Sequence, residues 1–292
     1  MAEFYFSAFA DEAADDLDGQ IAALKRNGIG YIEPRFIDKK GILTLTEDEL
    51  LEMKKKLDEA GIKVGSLGSP IGKYPIEEPF EAHLEDFKKA LRAAKLLGTD
   101  RIRMFSFFHK ETSLADCRAE VLRRLGIMTE MAKAEGITLC HENEAHIYGE
   151  LPAEVADILA NVDGLGGIFD AANYVMAGAD ALEGAKVTLP YLNYIHIKDA
   201  EYASQTILPA GEGEGHFLEV FDMVNDAIDA PVMLTLEPHL FDFTAFKSID
   251  THELKGKYSF KNNTESFDFA VAALEKLLSE GGYKKENGKW SK

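Results

Sequence analysis

Cysteine is nearly missing from the sequence: two in 292 residues, Cys117 and Cys140, neither in a CxxC pair. That excludes a disulfide framework, and a reduced, cytoplasmic setting is expected. Basic residues are also scarce, 32 Lys and Arg against 51 Asp and Glu, for a formal net charge of −19. Such a chain repels phosphate backbones and anionic lipid, so neither nucleic acid nor a membrane surface is an expected partner. No apolar run reaches the roughly 18 residues that a bilayer crossing needs. The opening Met1-Ala2-Glu3-Phe4-Tyr5 lacks the basic stretch of a secretory signal and reads as a strand. A Gly-rich phosphate turn is missing after that strand, where Phe9-Ala10-Asp11-Glu12 stands instead. Apolar content is ample: 46% hydrophobic against 28% charged argues for a folded chain over a disordered one.

One pattern recurs along the chain: an amphipathic helical stripe, a glycine stop, then a short apolar strand. Leu17, Ile21 and Leu24 precede Gly28 and Tyr31-Ile32. Thr46 and Glu49 have the spacing of a capping box, and the stripe of Leu50, Leu57 and Ala60 stops at Gly61 before Ile62-Lys63-Val64. The scheme repeats up to Gly98 and Gly136, then more loosely through Gly166–Phe169, Tyr191–Ile197 and Val232–Leu236. With Phe4–Phe9 as the first, eight strands alternate with helices, which implies parallel pairing through right-handed crossovers. Eight such units in this length predict a closed (β/α)8 barrel better than an open doubly wound sheet, which would want the missing phosphate turn. The expected organisation is one α/β barrel domain over residues 1–281 and a polar tail over 282–292. An insertion is expected around residues 246–263, before the last helix.

Functional groups of such a barrel stand at the C-terminal ends of its strands. Applied to the eight strand ends, that rule delivers Glu33, Lys73, Ser106, Glu142, Asp170, His196 and Glu237. The last four come from consecutive strands, five to eight. Three carboxylates and an imidazole converging at a barrel mouth suit one divalent metal ion; hard oxygens favour Mn²⁺ or Mg²⁺, and the imidazole admits Zn²⁺ or Co²⁺. Alternation along strand five puts Glu142 and Glu144 on the same face and does not choose between them.

The segments His141-Glu142-Asn143-Glu144, Phe169-Asp170-Ala171-Ala172-Asn173, Tyr194-Ile195-His196-Ile197-Lys198-Asp199 and Leu236-Glu237-Pro238-His239 resemble those of the xylose isomerase-like TIM-barrel family of sugar and sugar-phosphate isomerases and epimerases. Ser69-Pro70-Ile71-Gly72-Lys73 and the Pro209–Gly215 stretch are similar too. The resemblance implies Glu142, Asp170, His196 and Glu237 as metal ligands and selects Glu142 over Glu144. It further implies Glu142 and Glu237 as an acid/base pair that moves a proton beside a carbonyl through a cis-enediolate. The expected partner is then a small sugar or sugar phosphate, with a further copy of the chain as an assembly partner.

Around that centre the expectations divide. Asn173 stands where tagatose-type epimerases resemble one another in having His, and its amide can bond a sugar hydroxyl. Lys198 can bond an enediolate oxygen or pair with Asp199. His239 can orient Glu237, touch substrate or simply pack. Arg35 and Lys73 can meet a distal phosphate or carboxylate, though ion pairs with Glu33 or a neighbouring acid are favoured. Glu144 is read as a substrate contact or a loop ion pair. The Gly211–Gly215 run, with two carboxylates, is read as a mobile cover over the mouth and not as a phosphate cradle. Phe105, Phe107, Phe108, Phe241 and Phe243 are sugar-stacking walls or core. Three rivals accompany the isomerase reading: an inosose-type dehydratase on the same metal, an endonuclease IV-like phosphodiesterase, and a non-catalytic sugar-binding barrel.

Overall fold

The computed structural model describes residues 1–244 and 257–292. Eight parallel strands form the barrel: β1 (Glu3–Ala8), β2 (Tyr31–Ile32), β3 (Lys63–Val64), β4 (Arg101–Met104), β5 (Thr138–Glu142), β6 (Gly166–Asp170), β7 (Leu192–Ile197) and β8 (Pro231–Leu236). Strands β4 to β8 and β1 make one continuous ladder. The short β2 and β3 close the ring through a few backbone bonds, among them Glu33 N–H to Ala8 O at 3.0 Å, Gly65 N–H to Ile32 O at 2.9 Å and Leu67 N–H to Arg101 O at 2.9 Å.

Among the described residues, eight major helices cover the outside: α1 (Leu17–Arg26), α2 (Glu47–Ala60), α3 (Phe80–Leu97), α4 (Leu114–Ala134), α5 (Pro152–Asn161), α6 (Ala181–Thr188), α7 (Phe217–Ala227) and α8 (Asn263–Glu280). Local signals set their ends. Thr46 and Glu49 exchange both capping-box bonds at the start of α2, and Gly61 ends it with φ of 73°, a conformation that costs a residue bearing a Cβ. None of the helices described is long and apolar enough to cross a membrane.

Inside the barrel, Cys140, Ile168, Tyr194 and Met233 form a buried layer from four consecutive strands. Because side chains alternate along a strand, residues two further on point the same way, toward the mouth. Sequence pattern therefore raises Glu142, Asp170 and His196 one pleat above the apolar layer, and Glu237 follows two pleats above Met233. The residues between them, such as Leu139, Phe169, Ile195 and Leu234, face outward into the helix layer and belong to the main core.

The segment expected as a polar tail is folded. Residues Lys284–Glu286 (β9) and Lys289–Ser291 (β10) form a hairpin whose second strand pairs antiparallel with β1, Phe4 opposite Trp290. Strand β2 is too short to cover the start of β1, and the hairpin covers that exposed edge and buries Trp290 against Phe6. Most of the insertion expected around 246–263 lies outside the described residues.

Candidate active site

Strands β5 to β8 bring Glu142, Asp170, His196 and Glu237 together, with one donor atom of each within 4.8 Å of the others. The centre is His196 Nδ1, which lies 3.1 Å from Glu142 Oε1, 3.2 Å from Glu237 Oε2 and 3.9 Å from Asp170 Oδ2. All four are buried. Asp170 also caps the short helix Ala171–Met176 by accepting the Asn173 N–H at 2.9 Å, and Asn143 clamps its backbone through two bonds of 3.0 Å.

The outer oxygens of the two glutamates meet cations from the other half of the barrel. Arg103, on β4, reaches Glu142 Oε2 at 3.2 Å. Arg35, just beyond β2, donates to Glu237 Oε1 at 2.8 Å and to Asp11 and Glu12 from the turn after β1. Lys198 lies 3.2 Å from Asp170 and 3.8 Å from Glu237. His239 holds φ of 46°, in the left-handed region that non-glycine residues rarely occupy. That conformation lets its N–H donate to Glu12 at 2.7 Å while its ring lies 3.3 Å from Glu237 Oε1. The Phe9 ring lies between the guanidinium groups of Arg35 and Arg103, 4.3 and 4.7 Å from its centroid.

These contacts set the protonation states. Burial opposes ionisation of Glu142, but His196 and Arg103 outweigh it and hold the carboxyl at about 2. Glu237 is likewise held well below the usual range, Lys198 and the two histidines overcoming burial. Asp170 is pushed up to about 6 by burial despite Lys198, and Glu12 to about 7 by burial despite His239 and Arg35. Burial disfavours a charged imidazole, yet Glu142 and Glu33 raise His196 well above its ordinary value.

Residues 21–249 match the family described as xylose isomerase-like TIM barrel. The chain belongs to that family. Among curated proteins none matches the chain. Solved structures share the fold at low identity. An IOLI protein with a binding zinc atom superposes with a TM-score of 0.72 at 14% identity, over 94% of this chain and 98% of that one. An L-ribulose 3-epimerase gives 0.71 at 18%, over 97% and 96%. A probable 3-DHS dehydratase, AsbF from Bacillus anthracis, gives 0.69 at 15%, over 94% and 99%.

A divalent ion fits the four residues of this xylose isomerase-like barrel. Asp170 Oδ2 and Glu237 Oε2 are buried and accept no well-aligned hydrogen bond; both face His196 Nδ1, with Lys198 3.2 and 3.8 Å away as their nearest cation. The six carboxylates joined by the contacts above or to His196, those of Asp11, Glu12, Glu33, Glu142, Asp170 and Glu237, face three permanent cations among the described residues, Arg35, Arg103 and Lys198. Such an excess of buried acid is costly unless a further cation enters.

Around the centre, Arg35 and Lys73 form the favoured ion pairs with neighbouring acids, whereas Lys198 takes a different partner from the one sequence adjacency offers. Arg35 ignores Glu33 and pairs with Asp11, Glu12 and Glu237. Lys198 does not pair with Asp199. The latter is buried and accepts N–H groups from Gly211, Gly213 and Gly215, so the expected mobile cover is anchored by a carboxylate. Lys73 pairs with Glu144 at 2.7 Å on the rim. Its turn needs glycine at 72, where a Cβ would stand 1.9 Å from the Phe105 carbonyl oxygen. Asn173 donates to the Asn143 carbonyl at 2.8 Å and approaches Glu142 at 3.4 Å. Phe105 and Phe243 flank the mouth cations, whereas Phe107 packs against Phe80 and His83 in the helix layer. Sequence reasoning missed Arg103, Glu12 and Tyr194. A basic residue between Ile102 and Met104, on the inward parity of a barrel strand, was the available signal for Arg103.

Proposed function

We propose that the chain is a divalent-metal-dependent isomerase or epimerase of a small sugar or sugar phosphate, with Glu142 and Glu237 as its acid/base pair. The observation that carries this reading is that two buried carboxylates, from the ends of strands β5 and β8, both approach one imidazole nitrogen, at 3.1 and 3.2 Å, each with its second oxygen held by a guanidinium. Glu142, Asp170, His196 and Glu237 would hold one ion, Mn²⁺ or Mg²⁺ by preference and Zn²⁺ or Co²⁺ by tolerance. When bound, the ion would act as a Lewis acid toward a carbonyl oxygen, making the neighbouring C–H more acidic.

The chain's own groups do the rest. One glutamate removes the proton from one face of the substrate carbon and the other returns it from the opposite face. Both stay ionised at neutral pH because cations flank them. Lys198 offers an N–H to the oxygen on which negative charge develops, and the Asn173 amide offers one to a hydroxyl. Buried Phe9, packed over His196, keeps water from the floor of the mouth.

Loss of a proton beside a carbonyl also opens a β-elimination, and a neighbour in the fold comparison is a probable dehydratase. A dehydratase of inosose type is therefore the reading to set against the isomerase. Substrate screening in deuterated water decides between them. Deuterium incorporation without loss of water supports the isomerase, and release of water with an unsaturated product supports the dehydratase. The free, buried cysteines accord with a reducing, cytoplasmic setting.

A further inference from the structure

Glu33 has no role in the chemistry above, yet it is fully buried at the end of β2. No Lys or Arg lies within ion-pair distance of it among the described residues; its one charged neighbour is His196, whose Nε2 lies 3.5 Å from Glu33 Oε2. Both atoms are buried, and neither has a hydrogen-bond partner: they face each other just beyond good hydrogen-bonding geometry. The other oxygen is anchored from below. Tyr194, two residues before His196 on β7, donates its hydroxyl to Glu33 Oε1 at 2.8 Å and shares a 3.0 Å hydrogen bond with Ser66. The His196 ring is packed between Phe9, edge-on at 5.2 Å, and Tyr194 at 5.5 Å.

A neutral imidazole carries a single N–H, and the partner of one nitrogen decides which tautomer presents a lone pair on the other. Burying a carboxylate away from water with no Lys or Arg in ion-pair contact is costly, so its placement under the ring calls for a return. We propose that Glu33 is the positioning residue of the metal site: it accepts the Nε2–H of His196 and thereby fixes the tautomer and ring orientation that turn Nδ1 toward Glu142, Asp170 and Glu237. Tyr194 and Ser66 hold Glu33 in that pose. The inference rests on the metal reading of the four-residue centre.

Two measurements test it with Zn²⁺ alone, without substrate. In wild-type protein with ¹⁵N-labelled histidine and bound Zn²⁺, the His196 signals, assigned with His196→Gln, should show a proton on Nε2 and the metal on Nδ1. Metal on Nε2, or an Nε2 without a proton, overturns the proposal. By competition calorimetry, Glu33→Leu should bind Zn²⁺ roughly 10- to 100-fold more weakly. Glu33→Gln, which keeps an acceptor oxygen, should recover most of the loss, and Tyr194→Phe should lose a few-fold. Wild-type affinity in a folded Glu33→Leu protein overturns the proposal while leaving the metal reading intact. If Glu33→Leu does not fold, Tyr194→Phe and the wild-type spectrum decide. Absence of any Zn²⁺ binding by wild type removes the metal reading, and this proposal with it.

Discussion

The two halves of the barrel are built differently. Strands β5 to β8 are five or six residues long, pair with one another in order, and carry at their ends the four residues that meet at His196 Nδ1. On the other side β2 and β3 have two residues each, and that half supplies Arg35, Arg103, Glu12, Asp11 and Glu33 around the centre. Short side chains such as Asp and His must be aimed by their backbone, so they stand on rigid staves. A guanidinium on a long stem can cross the mouth from a turn and still find its carboxylate. One half thus fixes donor geometry, and the other balances charge.

That contrast can be broken in order of effect. Glu142→Gln or Glu237→Gln should lower turnover about 10³-fold on a substrate found by screening, with the fold retained by circular dichroism. Wild-type turnover in either variant would remove the acid/base pair. Replacing a cation in the charge-balancing half should act on stability instead. Arg35→Met leaves Asp11, Glu12 and Glu237 without their buried partner and should cost about 3–5 kcal/mol in urea unfolding of the metal-free protein. Unchanged stability would mean that this half is not a charge store.

Glu12 sharpens the same point through pH. Its carboxyl is pushed from 4.5 up to about 7 in the folded chain. The folded state therefore keeps a proton that the unfolded state has already lost between those values, and the slope ν_U − ν_N is negative. The stability it confers is complete below about pH 4.5 and disappears as pH rises through about 7. Metal-free protein should lose on the order of 1 kcal/mol per pH unit across that window, and Glu12→Gln should flatten the slope. An equal slope in both proteins would show Glu12 ionised throughout. The smallest effect is expected on the rim, where Lys73 and Glu144 form a part-exposed pair. Lys73→Ala should change stability by less than about 1 kcal/mol in thermal unfolding. A larger loss would extend the charge-balancing half to the rim.

The same division separates what could be read in the sequence from what could not. Strand alternation and the strand-end rule lead from Cys140, Ile168 and Tyr194 directly to Glu142, Asp170 and His196, because those residues are placed by their own strand. The glycine stops and the capping box similarly mark helix ends from local residues alone. The partners of Arg35 and Lys198 are not local. Asp11 and Glu237 are 24 and 202 positions from Arg35, and only closure of the ring brings them within reach. The hairpin after Gly281 was hidden for a related reason: most of its residues are polar and face solvent, and two aromatics, Tyr283 and Trp290, carry the packing of the segment.

Anomalous diffraction from a crystal soaked in Mn²⁺ examines the central claim with the fewest intermediate steps. The account predicts one strong peak bounded by Glu142, Asp170, His196 Nδ1 and Glu237. A fully soaked crystal with no peak among them, or with manganese bound only elsewhere, would contradict it.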